Sequence, residues 1–403
     1  MNVIKEWVAE NIFLGLEVRE YLRRLITPSN IVAASILIIG IPLIILRYMK
    51  GLNAVIHGSN DQPFSLFLGW GLFCGVPLAA TGYIMASAVY LFGLKDYKPL
   101  LRPAVLTGFV GYFFAVMFLL VDLGRPWRLP YPMIRSFGPA SILFLVAWHV
   151  ALYLTVQFLE FSPAIFEWIN TRKLRKWAEG ITIGATIFGV ILSTLHQSAL
   201  GALFLLAPTK LHPLWYTPYI PVFFFISSMY AGLSMIIIES TLVYKFLPNR
   251  VDPQNHKIID GLTLGLGKAA SFVMITYFFL KIIGIAHDDH WDLLLTRPYG
   301  YQFLIEIFGF VLLPCFMYVF GVRTGDAKLV RIAAFTSVAG VILNRLTISM
   351  FGLNWELPHR EFFAPKEIIV VLTIITIEVL IYRWVVNRLP VHQTHPKFAG
   401  EEE

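Results

Sequence analysis

Ten long apolar runs dominate this chain, each close to the length a helix needs to cross a bilayer, about 20 residues for a hydrocarbon core about 30 Å thick. They cover residues 31–48, 65–91, 103–122, 139–159, 178–207, 218–245, 262–286, 301–321, 328–352 and 366–387. Strands of a membrane barrel would be about ten residues long and would alternate in polarity. These runs are longer and apolar on every side. The expectation is an all-α polytopic membrane protein with about ten transmembrane helices. Composition agrees, since 14% of the residues are charged and 57% hydrophobic. Soluble domains carry about 25% and 45–50%. So little charge cannot coat a water-facing surface, which excludes a soluble enzyme, a disordered chain and a secreted disulfide scaffold. Pro103, Pro139 and Pro218 stand where proline is tolerated, at helix starts.

Two cysteines, Cys74 and Cys315, are too few for an iron–sulfur cluster or a structural zinc site. Both lie in apolar stretches, where a thiol acts as a small buried hydrophobe. No metal site is expected in this chain.

The basic residues set an orientation. With the N-terminus inside, twenty Lys and Arg fall in inner segments. Only Arg47, Lys50, Arg125, Arg128, Arg135, Lys210, Arg297 and Arg360 fall in outer ones. This positive-inside bias places both termini in the cytoplasm. The net charge of +7 then reads as loops facing anionic lipid, not as a nucleic-acid surface. Trp127, Trp215, Trp291 and Trp355 in outer loops suit an interfacial aromatic belt.

Residues 1–26 lack a signal peptide's continuous apolar core. Ile4, Trp7, Val8, Ile12, Val18, Tyr21, Leu22 and Leu25 recur at helical spacing, as in a helix lying in the inner interface. Residues 27–387 form one transmembrane domain. Residues 388–403 read as a cytoplasmic tail, polar and disordered after Pro390.

Ionisable side chains at membrane depth are functional candidates. At 1.5 Å per residue, His149 lies about 15 Å and His196 roughly 18 Å from the outer face, on neighbouring antiparallel helices. Asp122 closes the third run, and Ser193, Gln197 and Ser198 add polar groups beside His196. Three readings fit the histidines. Each imidazole can brace a neighbouring helix through a hydrogen bond. The pair can ligate one b-type haem. Or both can serve a quinone, whose two carbonyl oxygens need donors able to give up protons near neutral pH, with Asp122 as charge partner.

Other charges lie in the later runs. Glu239 and Lys268 form either an ion pair or, with Ser240, Tyr244, Ser271 and Tyr277, the cytoplasmic mouth of a proton path. Lys281, Glu306 and Arg345 can form one compensated cluster, for which a structural salt bridge is at least as good a reading. Glu378 has no assignable partner. A transporter without redox chemistry would use the same charges. It would be expected to show inverted repeats, and no clear repeat is present.

The segment Asp122-Leu123-Gly124-Arg125-Pro126, followed by Trp127 and Arg128, resembles the signature of the polysulfide-reductase membrane-subunit (NrfD-like) family of quinone-interacting proteins. A second stretch, 195–201 and 207–216 (Leu-His-Gln-Ser-Ala-Leu-Gly, then Ala-Pro-Thr-Lys-Leu-His-Pro-Leu-Trp-Tyr), is similar to its ten-helix branch. That branch includes hydrogenase-2 type and menaquinone reductase membrane subunits. The resemblance implies two four-helix bundles, about 65–207 and 218–352, flanked by runs 31–48 and 366–387. It implies a subunit of a respiratory oxidoreductase complex in the bacterial inner membrane, carrying no haem or iron–sulfur cluster of its own. A periplasmic ferredoxin-type iron–sulfur subunit, with further catalytic or cytochrome subunits, would supply electrons to menaquinone or a similar quinone in the outer part of the first bundle. Direction is not fixed by the resemblance. His196 and His149 are then expected to bond the carbonyls and deliver protons, with Asp122 as charge partner. Arg125, Gln197 and Ser193 would shape the pocket, and Glu239, Lys268, Tyr244 and Tyr277 would feed it.

Overall fold

The computed structural model describes residues 2–58, 62–357, 363–393 and 398. Ten helices in it are long and apolar enough to cross a membrane. Two short helices, α1 (Asn2–Asn11) and α2 (Val18–Arg24), precede them. The ten are α3 (Pro28–Lys50), α4 (Leu66–Leu91), α5 (Lys95–Asp122), α6 (Ile142–Trp168), α7 (Arg172–Leu206), α8 (Ile220–Phe246), α9 (Pro253–Asp288), α10 (Tyr299–Thr324), α11 (Ala327–Phe351) and α12 (Pro365–Arg388). No β-strand occurs among the described residues. One isolated bridge joins Leu211 to Leu353.

Helix ends follow local chemistry. Ser65 caps α4 by accepting from the Leu68 amide, Ser141 caps α6, Asp252 caps α9 ahead of Pro253, and Asp326 caps α11. Each satisfies an amide that the helix leaves without a partner. Gly325, at φ 71°, ends α10 in the left-handed region, open to glycine at no steric cost. The expected proline starts shift. Ser141, not Pro139, begins α6, Pro221 sits in the first turn of α8 in place of Pro218, and Pro103 lies inside α5. A side-chain cap or a following proline fixes these ends more firmly than the edge of an apolar run does.

Two rings of four helices result. In the first, α4 packs on α5, α5 on α6, α6 on α7, and α7 returns to α4. In the second, α8 packs on α9, α9 on α10, α10 on α11, and α11 returns to α8. They meet where α7 and α4 face α8, while α3 and α12 pair outside the first ring against α5. At the junction a Cβ on Gly201 of α7 would lie 2.8 Å from the Ile220 carbonyl oxygen. Only glycine allows the two backbones to approach that closely.

The amino-terminal segment is two helices, not one. The chain reverses between them at Leu14 and Gly15, both at positive φ, and the Trp7 ring packs 5.0 Å from Trp168. The start of the tail is also ordered, against the sequence expectation. Val391 and His392 are buried, the Asp252 amide donates to the His392 carbonyl, and Arg102 donates to the Pro390 carbonyl. Pro390 and His392 thereby link Arg102 of the first ring to Asp252 at the start of α9 in the second. Residues 394–397 and 399–403 of the tail, and Arg360 of the outer set, are outside the described residues.

Candidate functional site in the first helix ring

His196 is fully buried on α7. Its Nδ1 stands 2.8 Å from the Leu192 carbonyl one turn back. A carbonyl only accepts, so Nδ1 carries the ring proton and Nε2 is the acceptor. The phenol of Tyr112, on α5, donates to that Nε2. Gln197 then donates from Nε2 to the Tyr112 oxygen at 3.2 Å and to the Val76 carbonyl on α4 at 3.1 Å. Ser193, fully buried one turn away, adjoins the same phenol. The Tyr153 ring of α6 packs on both Tyr112 (4.6 Å) and His196 (5.3 Å).

Three sequence-selected residues, His196, Gln197 and Ser193, thus meet at one point. His149 lies on the same side of α6 as Tyr153, one turn nearer the helix start. It is half-buried, and its Nδ1 has no hydrogen-bond partner among the described residues. The arrangement is a proton-bearing phenol and imidazole in a hydrogen-bonded network that leaves Ser193 Oγ and Gln197 Oε1 without partners, beside a second imidazole with a nitrogen to spare.

Asp122 stands apart from the histidines. It is the last residue of α5 and accepts from the Ser65 hydroxyl at the start of α4. Arg125, expected to shape the pocket, is exposed, and its side chain forms no hydrogen bond or ion pair with Asp122. Arg47 takes that place. It is buried, donates to the Val121 and Leu123 carbonyls, and so caps the end of α5 beside Asp122. Sequence alone places it among the outer-loop charges because its span ends there, and only packing shows it turned inward. Glu367, at the head of α12, accepts from the Leu66 amide next door.

The remaining candidates separate. Glu239 does not meet Lys268. It accepts from the Tyr382 hydroxyl on α12 and lies 3.1 Å from His392 Nε2, while Lys268 faces outward. Tyr244 stacks edge-on against His256, and Tyr277 is buried against Phe223 and Tyr230. Lys281, Glu306 and Arg345 do cluster in the second ring. Glu306 accepts from Trp215 Nε1 (2.9 Å) and Asn344 Nδ2 (2.6 Å), and Arg345 donates to Asn344 Oδ1 and the Ser227 hydroxyl. Lys281 lies 4.4 Å over the Phe223 ring. Trp215 is therefore interior and no part of an interfacial belt, unlike Trp127, which is 69% exposed. Glu378 is half-buried with no ion pair or hydrogen bond among the described residues.

Sequence reading passed over Tyr112, Tyr153 and Gln157. A signal was present, since His149, Tyr153 and Gln157 recur every four residues on one face of α6. Tyrosine is too common in apolar runs to stand out without its partners.

Ten membrane-length helices packed as two four-helix rings with flanking helices define an all-α polytopic membrane protein. Residues 55–355 match the family model described as polysulphide reductase, NrfD. The chain belongs to that family and is a multi-pass membrane protein. A protein of Nitratidesulfovibrio vulgaris strain Hildenborough is 47% identical over 378 residues, covering 93% of this chain and 97% of the relative. The probable Ni/Fe-hydrogenase 2 b-type cytochrome subunit of Escherichia coli K12 is 27% identical, over 91% and 93% of the two chains. The menaquinone reductase integral membrane subunit of N. vulgaris is 23% identical, over 79% and 83%.

Proposed function

We propose that this chain is the quinone-binding membrane subunit of a respiratory oxidoreductase complex. It lies in a bacterial inner membrane with both termini cytoplasmic, and an iron–sulfur subunit of ferredoxin type docks on the outer face. Electrons pass from that partner to menaquinone or a similar quinone. The observation that carries the reading is the Tyr112–His196 pair with Gln197 behind it and the unpartnered Nδ1 of His149 beside it. Reduction adds two electrons and two protons and forms an O–H bond at each carbonyl oxygen. His149 is the group with a free nitrogen to meet one carbonyl. The Tyr112–His196 pair holds the proton that follows, because the phenol hydrogen already lies on the bond to the imidazole. Asp122, held by Ser65 beside the Arg47 guanidinium, shapes the outer rim with Arg125. The name of the menaquinone reductase relative supports the assignment, whereas that of the Escherichia coli relative, a b-type cytochrome subunit, favours a haem.

A bis-imidazole haem fits less well. His196 has both ring nitrogens engaged, so an axial bond to iron would first break the Tyr112 contact. A Soret band in the purified chain would restore that reading. The direct test replaces His196 with Ala in the intact complex. Quinone-dependent turnover should be lost while assembly persists; unchanged turnover would refute the assignment.

A further inference from the structure

The end of the first ring that carries the termini is hollow. A cavity of about 480 Å³ lies there, lined by Lys98, Arg102, Glu160, Arg175, Glu179 and His392 among others. Most of its charge is already committed. Arg102 makes a two-point contact with Glu167 (2.7 and 2.9 Å), and Arg175 bonds both Glu167 (3.1 Å) and Glu179 (2.8 Å). Glu160 differs. It accepts from the Thr186 hydroxyl at 2.7 Å and forms no ion pair among the described residues.

From Glu160 two polar seams face each other toward His196. On α6 they are Glu160, Gln157, Tyr153 and His149; on α7 they are Thr186, Ser193, His196 and Gln197. Each repeats at the spacing of one helix face. Gln157, fully buried, donates to the Tyr153 hydroxyl, and its Oε1 has no partner. The space it fills exists because Gly82 and Gly108 stand opposite, where a Cβ would lie 2.3 Å from Gln157 Nε2 and 2.8 Å from Oε1. Tyr153 in turn packs edge-on against Tyr112. The stretch from Glu160 to His149 rises about 16 Å, half the hydrocarbon thickness. Gln157 Oε1 lies one helical turn beyond the cavity's Glu160 and is left with the lone pairs a bridging water would use.

We propose that these seams form the proton intake of the quinone site, with Glu160 as the carrier at its mouth. The inference rests on the reading of His149, His196 and Tyr112 as that site. For each proton delivered to a carbonyl oxygen, the Tyr112–His196 pair is refilled from Glu160 through bridging waters, which the Tyr153 hydroxyl and the unpartnered Gln157 Oε1 hold in line. Glu160 recovers its proton from water in the cavity. Two electrons from the iron–sulfur partner and two protons from the side of the termini then convert one quinone to one quinol, and the protein returns to its starting state. The alternative through Glu239 and Lys268 lacks continuity, since Tyr382 and His392 engage the first and the second points outward.

The test uses the intact complex in oriented proteoliposomes with the termini facing a lumen that holds a pH dye. Reduced benzyl viologen supplies electrons and a water-soluble menaquinone analogue accepts them. Wild type should alkalinise the lumen during turnover. Glu160→Gln should lower both turnover and alkalinisation at least tenfold with an unchanged KM for the analogue, and Glu160→Asp should recover part of both. If Glu160→Gln matches wild type, or if alkalinisation appears outside, the intake is wrong although the quinone site stands. If wild type cannot reduce the analogue at all, the site reading itself fails.

Discussion

Trp215 donates its indole N–H to Glu306 Oε2 at 2.9 Å in the interior of the second helix ring. A loop between helices thereby reaches a carboxylate on α10 that Asn344 and Arg345 tie to α11 and α8. The loop is also pinned to residues after α11, through His212 N to Gly352 O and Asn354 N to Lys210 O. The second stretch of family resemblance is thus structural in this ring, while its His196 portion serves the first.

Trp215→Phe keeps the ring but leaves a buried carboxylate oxygen without its donor. We expect a loss of roughly 1–3 kcal/mol of stability, read as a lower thermal midpoint in detergent. Quinone affinity should be unaffected, because no described contact links Glu306 to the first ring's site.

Tyr112→Phe removes only the hydroxyl that faces His196. The complex should assemble and bind a quinone analogue as before. Turnover should fall on the order of 10²-fold, as for loss of a positioned proton donor. Stopped-flow reduction of the analogue would show it, and an unchanged rate would leave Tyr112 a packing residue.

Arg47 is buried and serves two carbonyls at the end of α5. Arg47→Met should lower stability by roughly 1–3 kcal/mol and weaken quinone binding by releasing Asp122. Arg47→Lys should restore only part, since an ammonium does not reproduce the planar two-point donor. Titration of the quinone analogue and a melting curve separate the two effects.

Gly201 and Gly180 lie on the same helix and should respond in opposite directions. Gly201→Ala forces a Cβ against the backbone of Ile220 and Pro221, an overpacking of about 1–3 kcal/mol. At Gly180 a Cβ meets open space, so alanine should stabilise by up to about 1 kcal/mol through helix propensity. Equal effects in thermal unfolding would show that the junction between rings is looser than drawn.

The amino-acid sequence by itself determined the ten helices, because a backbone in hydrocarbon must satisfy its own hydrogen bonds and apolar length alone reports that need. It also singled out His196, Gln197 and Ser193, since polar groups are rare and expensive at that depth. Tertiary structure decided their company. Tyr112 joined His196 through a hydrogen bond, Arg47 turned in to cap α5 beside Asp122, and Trp215 moved from the expected belt into the second ring. Glu239 turned to Tyr382 and His392 instead of Lys268. The reason is directional: spacing along one helix tells which residues share a face, but a hydrogen bond between helices depends on crossing geometry and rotation. Those are set by packing at residues such as Gly82, Gly108 and Gly201, where the absence of a side chain decides what can approach.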